Sequence, residues 1–206
     1  TTAQAPALTT DQIVALTTGQ IKALSTAAVA ALTTTQVVAI ETQDLAALTV
    51  AQVKALTTDN IQALTTDQTT ALTPAEVAAL STTQVAALSA AQLASMIPSL
   101  STAQIASLTP AQIVALAPAQ IVALTTGQMK ALSTAAVAAL TTTQVLAIET
   151  QDLAALTSVQ IKALTTDDLQ ALTTDQIVAL TSAQVGALTT AQALALTTDQ
   201  IVALTT

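Results

Sequence analysis

The stretch "ALTTDQIVALTTGQIKAL", residues 7–24, writes one phrase twice, and its spacing decides the fold. Leu8, Leu16 and Leu24 stand eight residues apart. Thr9 and Thr17 follow the first two leucines, with Gln12 and Gln20 three residues further on. The spacing continues through Leu32, Ile40, Leu48, Leu56, Leu64, Leu72, Leu80, Leu88 and Met96. A step of four residues then resets the phase to Leu100, and the eight-residue spacing runs on to Leu204 with Ile148 as a substitute. The chain is thus an array of octads, roughly L-T-T-D/A-Q-I/V-x-A, and internal repetition on this scale is the mark of a solenoid. Residues 15–68 recur as 123–176 with 47 of 54 positions identical, so whole blocks have been duplicated and length itself is useful or well tolerated.

One long helix does not fit this period. Eight residues at about 100° each leave successive octads rotated by about 80°, so Leu and Ile would spiral around the rod instead of forming a stripe. A matching period of four residues per turn is too far from 3.6 for supercoiling to absorb. Strands fit no better: T-T-D-Q-I-V-A-L does not alternate apolar and polar, and Ala and Gln are poor strand residues. Three glycines in the chain are too few for a strand solenoid that turns at every corner.

What remains is a new, very short helix in each octad, and several signals share that phase. The residue after the marker Leu is Thr or Ser in Thr9, Thr17, Ser25, Thr33, Thr49 and Thr57, the type whose oxygen accepts from the free N–H groups at a helix start. Gln or Glu three residues later (Gln12, Gln20, Gln36, Gln52, Gln68, Glu76) completes a capping box. Pro74, Pro98, Pro110 and Pro118 fall immediately after the cap position, where a missing N–H costs nothing. Leu8 with Ile13, and Leu16 with Ile21, have the spacing of a hydrophobic staple.

Charge follows the same polarity. All twelve acids, Asp11, Glu41, Asp44, Asp59, Asp67, Glu76, Glu149, Asp152, Asp167, Asp168, Asp175 and Asp199, fall at a cap or in a first turn. The four lysines, Lys22, Lys54, Lys130 and Lys162, fall near helix ends, as the helix dipole favours. The C-terminal ends lack glycine caps, so each helix is expected to stop at the next Thr cap or at Pro.

A helix of six or seven residues is unstable alone, because nucleation and chain ordering outweigh the burial of one Leu and one Ile. Stacking must supply the difference. The expected fold is all-α, a solenoid or superhelix of very short capped helices over residues 1–206 as one continuous array, Leu and Ile/Val facing the axis, with three or four octads per coil. Ala15, Ala23, Ala31, Ala39, Ala47 and Ala55, just before each marker, are the small residues that let neighbouring helices approach. The step at 95–100 reads as a corner irregularity in preference to a functional hinge.

Composition narrows function. The chain has no aromatic residue, His or Cys, so the commonest proton-transfer, nucleophilic and pocket-building side chains are missing and no enzyme is expected. No catalytic, cofactor-binding or metal residue is assigned. A net charge of −8 with four cations speaks against nucleic acid and anionic membrane as partners. Thr, Gln and Asp interrupt every octad, so membrane insertion is not expected either. The missing initial Met and signal peptide suggest a fragment or mature piece of something longer. Expected partners are neighbouring repeats of that longer chain, with protein contacts as a further possibility.

Two features invite a binding role. Glu41 with Asp44, repeated as Glu149 with Asp152, pairs carboxylates, yet without Gly, Asn or a ligand loop this is weak as a calcium site and is read as dipole stabilisation. Stacked Thr-Thr pairs would form ladders, an alternative function as an ice-binding or glycan- or protein-binding face.

"LTPAQIVAL" (108–116) and "LTTTQVVAI" (32–40) resemble locally the opening of a transcription-activator-like effector repeat. The eight-residue period, the absent base-reading pair and the negative charge depart from that family, and DNA recognition is not carried over. The whole chain is similar to "LTTAQIAAL" tracts of giant secreted, repeat-rich bacterial proteins labelled adhesins or haem-utilisation/RTX-like proteins. That resemblance implies a rigid spacer, stalk or scaffold segment, adhesin-like, secreted or on the cell surface.

Overall fold

The structure, a computed structural model, describes residues 4–204. Among them every regular element is a short helix, and the chain forms two compact units, residues 1–104 and 105–206. The first opens with a 3₁₀ turn, Ala5–Ala7, followed by α1 (Thr10–Val14), α2 (Thr18–Lys22), α3 (Thr26–Ala30), α4 (Thr34–Ala39), α5 (Thr42–Leu45) and α6 (Val50–Ala55). It continues with α7 (Thr58–Ala63), α8 (Thr66–Ala71), α9 (Pro74–Ala79), α10 (Thr82–Ala87) and α11 (Ala90–Ala94), then a second 3₁₀ turn, Ile97–Ser99, and α12 (Thr102–Ala106), in which the boundary falls. The second unit runs through α13 (Pro110–Val114), α14 (Pro118–Val122), α15 (Thr126–Ala131), α16 (Thr134–Ala138), α17 (Thr142–Leu146) and α18 (Thr150–Ala155). It ends with α19 (Ser158–Ala163), α20 (Thr166–Ala171), α21 (Thr174–Val178), α22 (Ser182–Val185), α23 (Thr190–Ala195) and α24 (Thr198–Ala203).

Each octad starts its helix as its residues dictate. Thr49 Oγ1 accepts from the Gln52 N–H at 3.3 Å while Gln52 Oε1 accepts from the Thr49 N–H at 2.8 Å. The reciprocal box recurs from Thr9/Gln12 to Thr197/Gln200. Ala117 keeps only half of it, its N–H donating to Gln120 Oε1 at 2.7 Å, because Ala has no oxygen to give back. Pro74, Pro110 and Pro118 open their helices; Pro98 instead takes the second place in a 3₁₀ turn that Ile97 begins.

The helices hold four to six residues, shorter than the octad allows: most end one or two residues before the marker, where the chain commonly turns extended at a corner, and α5 and α22 end three before it. Leu56, at φ −58° and ψ 135°, is such a corner, and its N–H still closes the last turn on Val53 O at 3.2 Å. No described residue has a positive φ, so no helix stops by a left-handed cap.

In each unit a helix packs on the one three places later. In the first unit α1, α4, α7 and α10 form one side, α2, α5, α8 and α11 the next, and α3, α6, α9 and the Ile97–Ser99 turn the third. The second unit repeats this with α13–α16–α19–α22, α14–α17–α20–α23 and α15–α18–α21–α24. Each unit is therefore a solenoid whose regular coil is three octads, or 24 residues. Ile61, Val85, Leu93, Ile161 and Leu169 are fully enclosed, with the marker leucines beside them. The Ala before the marker is half-buried at Ala31, Ala39, Ala55 and Ala63, at the seam between core and surface.

The four-residue step is a shortened side. Ile97–Ser99 packs on α9 and buries Met96 and Ile97, so the coil closes over 20 residues, from Leu80 to Leu100, with its core intact. Among the described residues no helix is long and apolar enough to cross a membrane.

Candidate functional site

The chemistry that joins the coils lies at their corners and is carried by one atom of the buried capping-box Gln residues. With Oε1 engaged in the capping box, Nε2 is left pointing at the coil before. Gln52 Nε2 donates to the carbonyls of Ile21 (3.0 Å), Lys22 (3.2 Å) and Leu24 (2.8 Å), the end of α2. The last carbonyls of a helix have no partner within it. An amide from the following coil satisfies them, and this is how helices without glycine caps end.

The spacing repeats through each unit. Gln36, Gln68, Gln84 and Gln92 reach Leu8, Ile40, Leu56 and Leu64, each 28 residues earlier. Gln144, Gln160, Gln176, Gln184, Gln192 and Gln200 do the same to Leu116, Leu132, Ile148, Leu156, Leu164 and Leu172. Over the shortened coil the reach falls to 24 residues, Gln104 Nε2 to Leu80 O at 2.8 Å, and the bond survives. Asn60, one methylene shorter, makes a single contact with Leu32 O at 3.2 Å.

Four carboxylates occupy this buried position: Asp44, Glu76, Asp152 and Asp168. They keep the helix-start half of the pattern where they can reach. Glu76 Oε2 accepts from Thr73 N at 2.7 Å and Thr73 Oγ1 at 2.9 Å, and Asp168 Oδ2 from Thr165 N at 3.0 Å and Oγ1 at 2.6 Å. An ionised carboxylate has no hydrogen to offer a carbonyl, so the rung to the coil before is not made in the Gln manner. The duplicated pair differs in detail. Thr18 donates its hydroxyl to Asp44 Oδ1 from the coil before, whereas Asp152 Oδ1 is buried without a partner although Thr126 stands 26 residues earlier, as Thr18 does from Asp44.

The other sequence candidates are dispersed. Glu41 and Glu149 are exposed N-caps whose carboxylates accept from Gln43 Nε2 (3.2 Å) and Gln151 Nε2 (3.4 Å), separated by burial from Asp44 and Asp152. Among the described residues no group of three or more His, Cys, Asp or Glu is placed to hold a metal ion. Lys22, Lys54, Lys130 and Lys162 are exposed in last turns. The Thr pairs do align: Thr9–Thr10, Thr33–Thr34 and Thr57–Thr58 are exposed on α1, α4 and α7 of one side.

The inter-coil rungs were missed by sequence reasoning, which assigned Gln to the capping box alone. The available signal was the preference for Gln over Glu at this position: a box tolerates Glu freely, whereas a donor rung needs the amide.

Repeated helices, one bonding scheme and coils linked only to their neighbours define an all-α repeat protein of the solenoid class. Within that class the chain belongs to the ALTTAQ repeat family, whose model matches residues 13–39, 37–74, 97–126, 121–147, 145–182 and 177–206. No curated protein matches the chain.

Proposed function

We propose that this chain is a structural repeat segment, a spacer or stalk within a larger, secreted or surface-located bacterial protein of adhesin type, and that it performs no catalysis. The observation that carries the reading is the inter-coil rung: within each unit, successive coils are joined by the same Gln-to-carbonyl bond, so coils add without new chemistry. Block duplication at an offset of 108 residues supports the same view. The test is addition of a coil. A chain with residues 153–176 repeated in tandem gains one turn of each helix side, and small-angle scattering should show a longest dimension increased by about 8–10 Å at constant cross-section. An enlarged cross-section, or no change, defeats the spacer reading. Location is tested separately by antiserum labelling of intact against lysed cells of the source organism; signal only after lysis defeats surface display.

A second reading rests on the aligned Thr pairs, which offer a regular array of hydroxyl and methyl groups suited to an ice surface, a glycan or a protein. Ice-recrystallisation assays of the chain against Thr34→Lys and Thr58→Lys variants test its first form. Equal activity in all three, or none in any, rejects it.

A further inference from the structure

One of the four buried carboxylates stands apart from the other three. Asp152 is 3% exposed, and its Oδ1 is buried with no hydrogen-bond donor among the described residues. It occupies the place from which Gln amides reach the coil before, 31 residues after Ile121 and 28 after Leu124, at the end of α14. From that place Gln144 donates to the carbonyls of Ile113 and Leu116, both at 2.7 Å, and Gln184 to those of Leu153 and Leu156 at 2.9 and 2.7 Å. Where a Gln offers hydrogens, ionised Asp152 sets an acceptor against acceptors.

The helices packed on α18 do not neutralise it. On α15 the charged residue is Lys130, which is exposed, and on α21 it is Asp175, of like sign. Glu149, exposed at the start of α18 itself, adds another negative charge. Asn60 measures the gap, because its side chain has the reach of Asp and its Nδ2 lies 3.2 Å from the Leu32 carbonyl. Two oxygens about that far apart are adjacent ligands of one ion standing about 2.3–2.6 Å from each. The corner also brings a hydroxyl within reach. In the first copy of the duplicated block Thr18 donates to Asp44 Oδ1, and Thr126 is the counterpart of Thr18 in the second.

We propose that Asp152 binds a monovalent cation of sodium size, held by its Oδ1, the carbonyls of Ile121 and Leu124, and the hydroxyl of Thr126. The ion stands where a Gln amide stands in other coils and joins α18 to the coil before, as a rung does. One carboxylate among neutral oxygens balances a single positive charge, and carbonyls at helix ends are ligands for such ions. A divalent ion asks for more negative charge, and among the described residues no group of three His, Cys, Asp or Glu is placed to supply it. The ion relieves the cost of a buried unpaired carboxylate. At Asp44 the Thr18 hydroxyl already occupies the oxygen, which assigns the ion to the second copy.

Thermal unfolding of the full 206-residue chain in sodium chloride against choline chloride at equal ionic strength tests the site. Sodium at about ten times its dissociation constant should raise the midpoint by about 3–5 °C. The sodium nuclear magnetic resonance signal should broaden when the chain is added. Asp152→Gln puts an amide in the ion's place, and Asp152→Asn copies Asn60; circular dichroism identifies which variants are folded, and either one serves. A folded variant should lose the sodium-specific rise and broaden the sodium signal less than wild type. A wild type with the same midpoint in both salts overturns the proposal, as does a folded variant that keeps the full rise. A wild type indifferent to sodium but stabilised in choline chloride by acidification to about pH 4 assigns the place to a proton and overturns it as well.

Discussion

The side-chain amide of Gln52 donates to the carbonyl of Leu24 at 2.8 Å across 28 residues of chain, while its oxygen accepts from Thr49 three residues away. One side chain thus starts the helix it belongs to and finishes a helix of the coil before. Local and long-range order are joined at the same residue, and the stability of any octad is tied to its neighbour on the stack.

The two halves of that role are separable by a single atom change. Gln84→Glu leaves an oxygen to accept from Ser81 N but removes the donor now reaching Leu56 O at 2.7 Å. It is expected to cost about 1–3 kcal/mol, the range for stranding a buried polar group. Gln12→Glu, exposed on the first coil and without a rung, should cost under about 0.5 kcal/mol, as surface changes do. Urea unfolding followed by circular dichroism measures both; equal losses would mean that the rung contributes nothing.

The natural carboxylates run the comparison in reverse. Glu76→Gln and Asp152→Gln supply the missing amide at buried ladder positions and should each stabilise by about 1 kcal/mol, the net value of a typical internal hydrogen bond. For Asp152 the change also removes an oxygen with no partner. A fall in thermal midpoint for both variants would show that these carboxylates are bonded more favourably than the ladder geometry implies.

Glycine gives a test of backbone entropy with almost no contact change. A methyl group added at Gly19 or Gly127, both inside helices, meets nothing within 4 Å, whereas at Gly186 it meets Ser182 O at 3.2 Å. Gly19→Ala and Gly127→Ala should each stabilise by about 0.5–1 kcal/mol. Gly186→Ala should fall short of that gain, and denaturant midpoints of the three variants rank them.

Thr69 is the polar exception at its octad position, 1% exposed where its counterparts are Ile, Val, Leu, Met or Ala. Its hydroxyl donates to Thr66 O at 2.9 Å, a bond within its own helix. Thr69→Val exchanges that hydroxyl for a methyl facing the axis and should stabilise by about 1 kcal/mol. A destabilised variant would assign the hydroxyl a role in packing α8 against α5 and α11, which calorimetry would register as a lower unfolding temperature.

Much of this was legible in residue order. The capping box closes over three residues and needs no knowledge of the rest of the chain, so Thr49 and Gln52 announce a helix start by themselves. Pro98 shows the boundary of that legibility: its local environment resembles the other prolines, but a four-residue side has room only for a 3₁₀ turn beginning at Ile97. The role of Asp44 was less legible still. Its position in the first turn suggested dipole stabilisation alone, whereas stacking buries it and brings Thr18 onto it from the coil before.

What the sequence by itself determined is where each helix begins, which way it points and which two residues of each octad seek the core. Those properties depend on side-chain and backbone groups within one turn of each other. The tertiary structure decided the number of octads in a coil and the partner of every Gln amide. Three sides close a coil because the corner at each marker Leu bends the chain so that Leu24 lies under Gln52, a contact 28 residues long that no local pattern encodes. The rung exists only once a whole coil has formed beneath it, which is the physical reason an octad that spells its own helix still cannot stand alone.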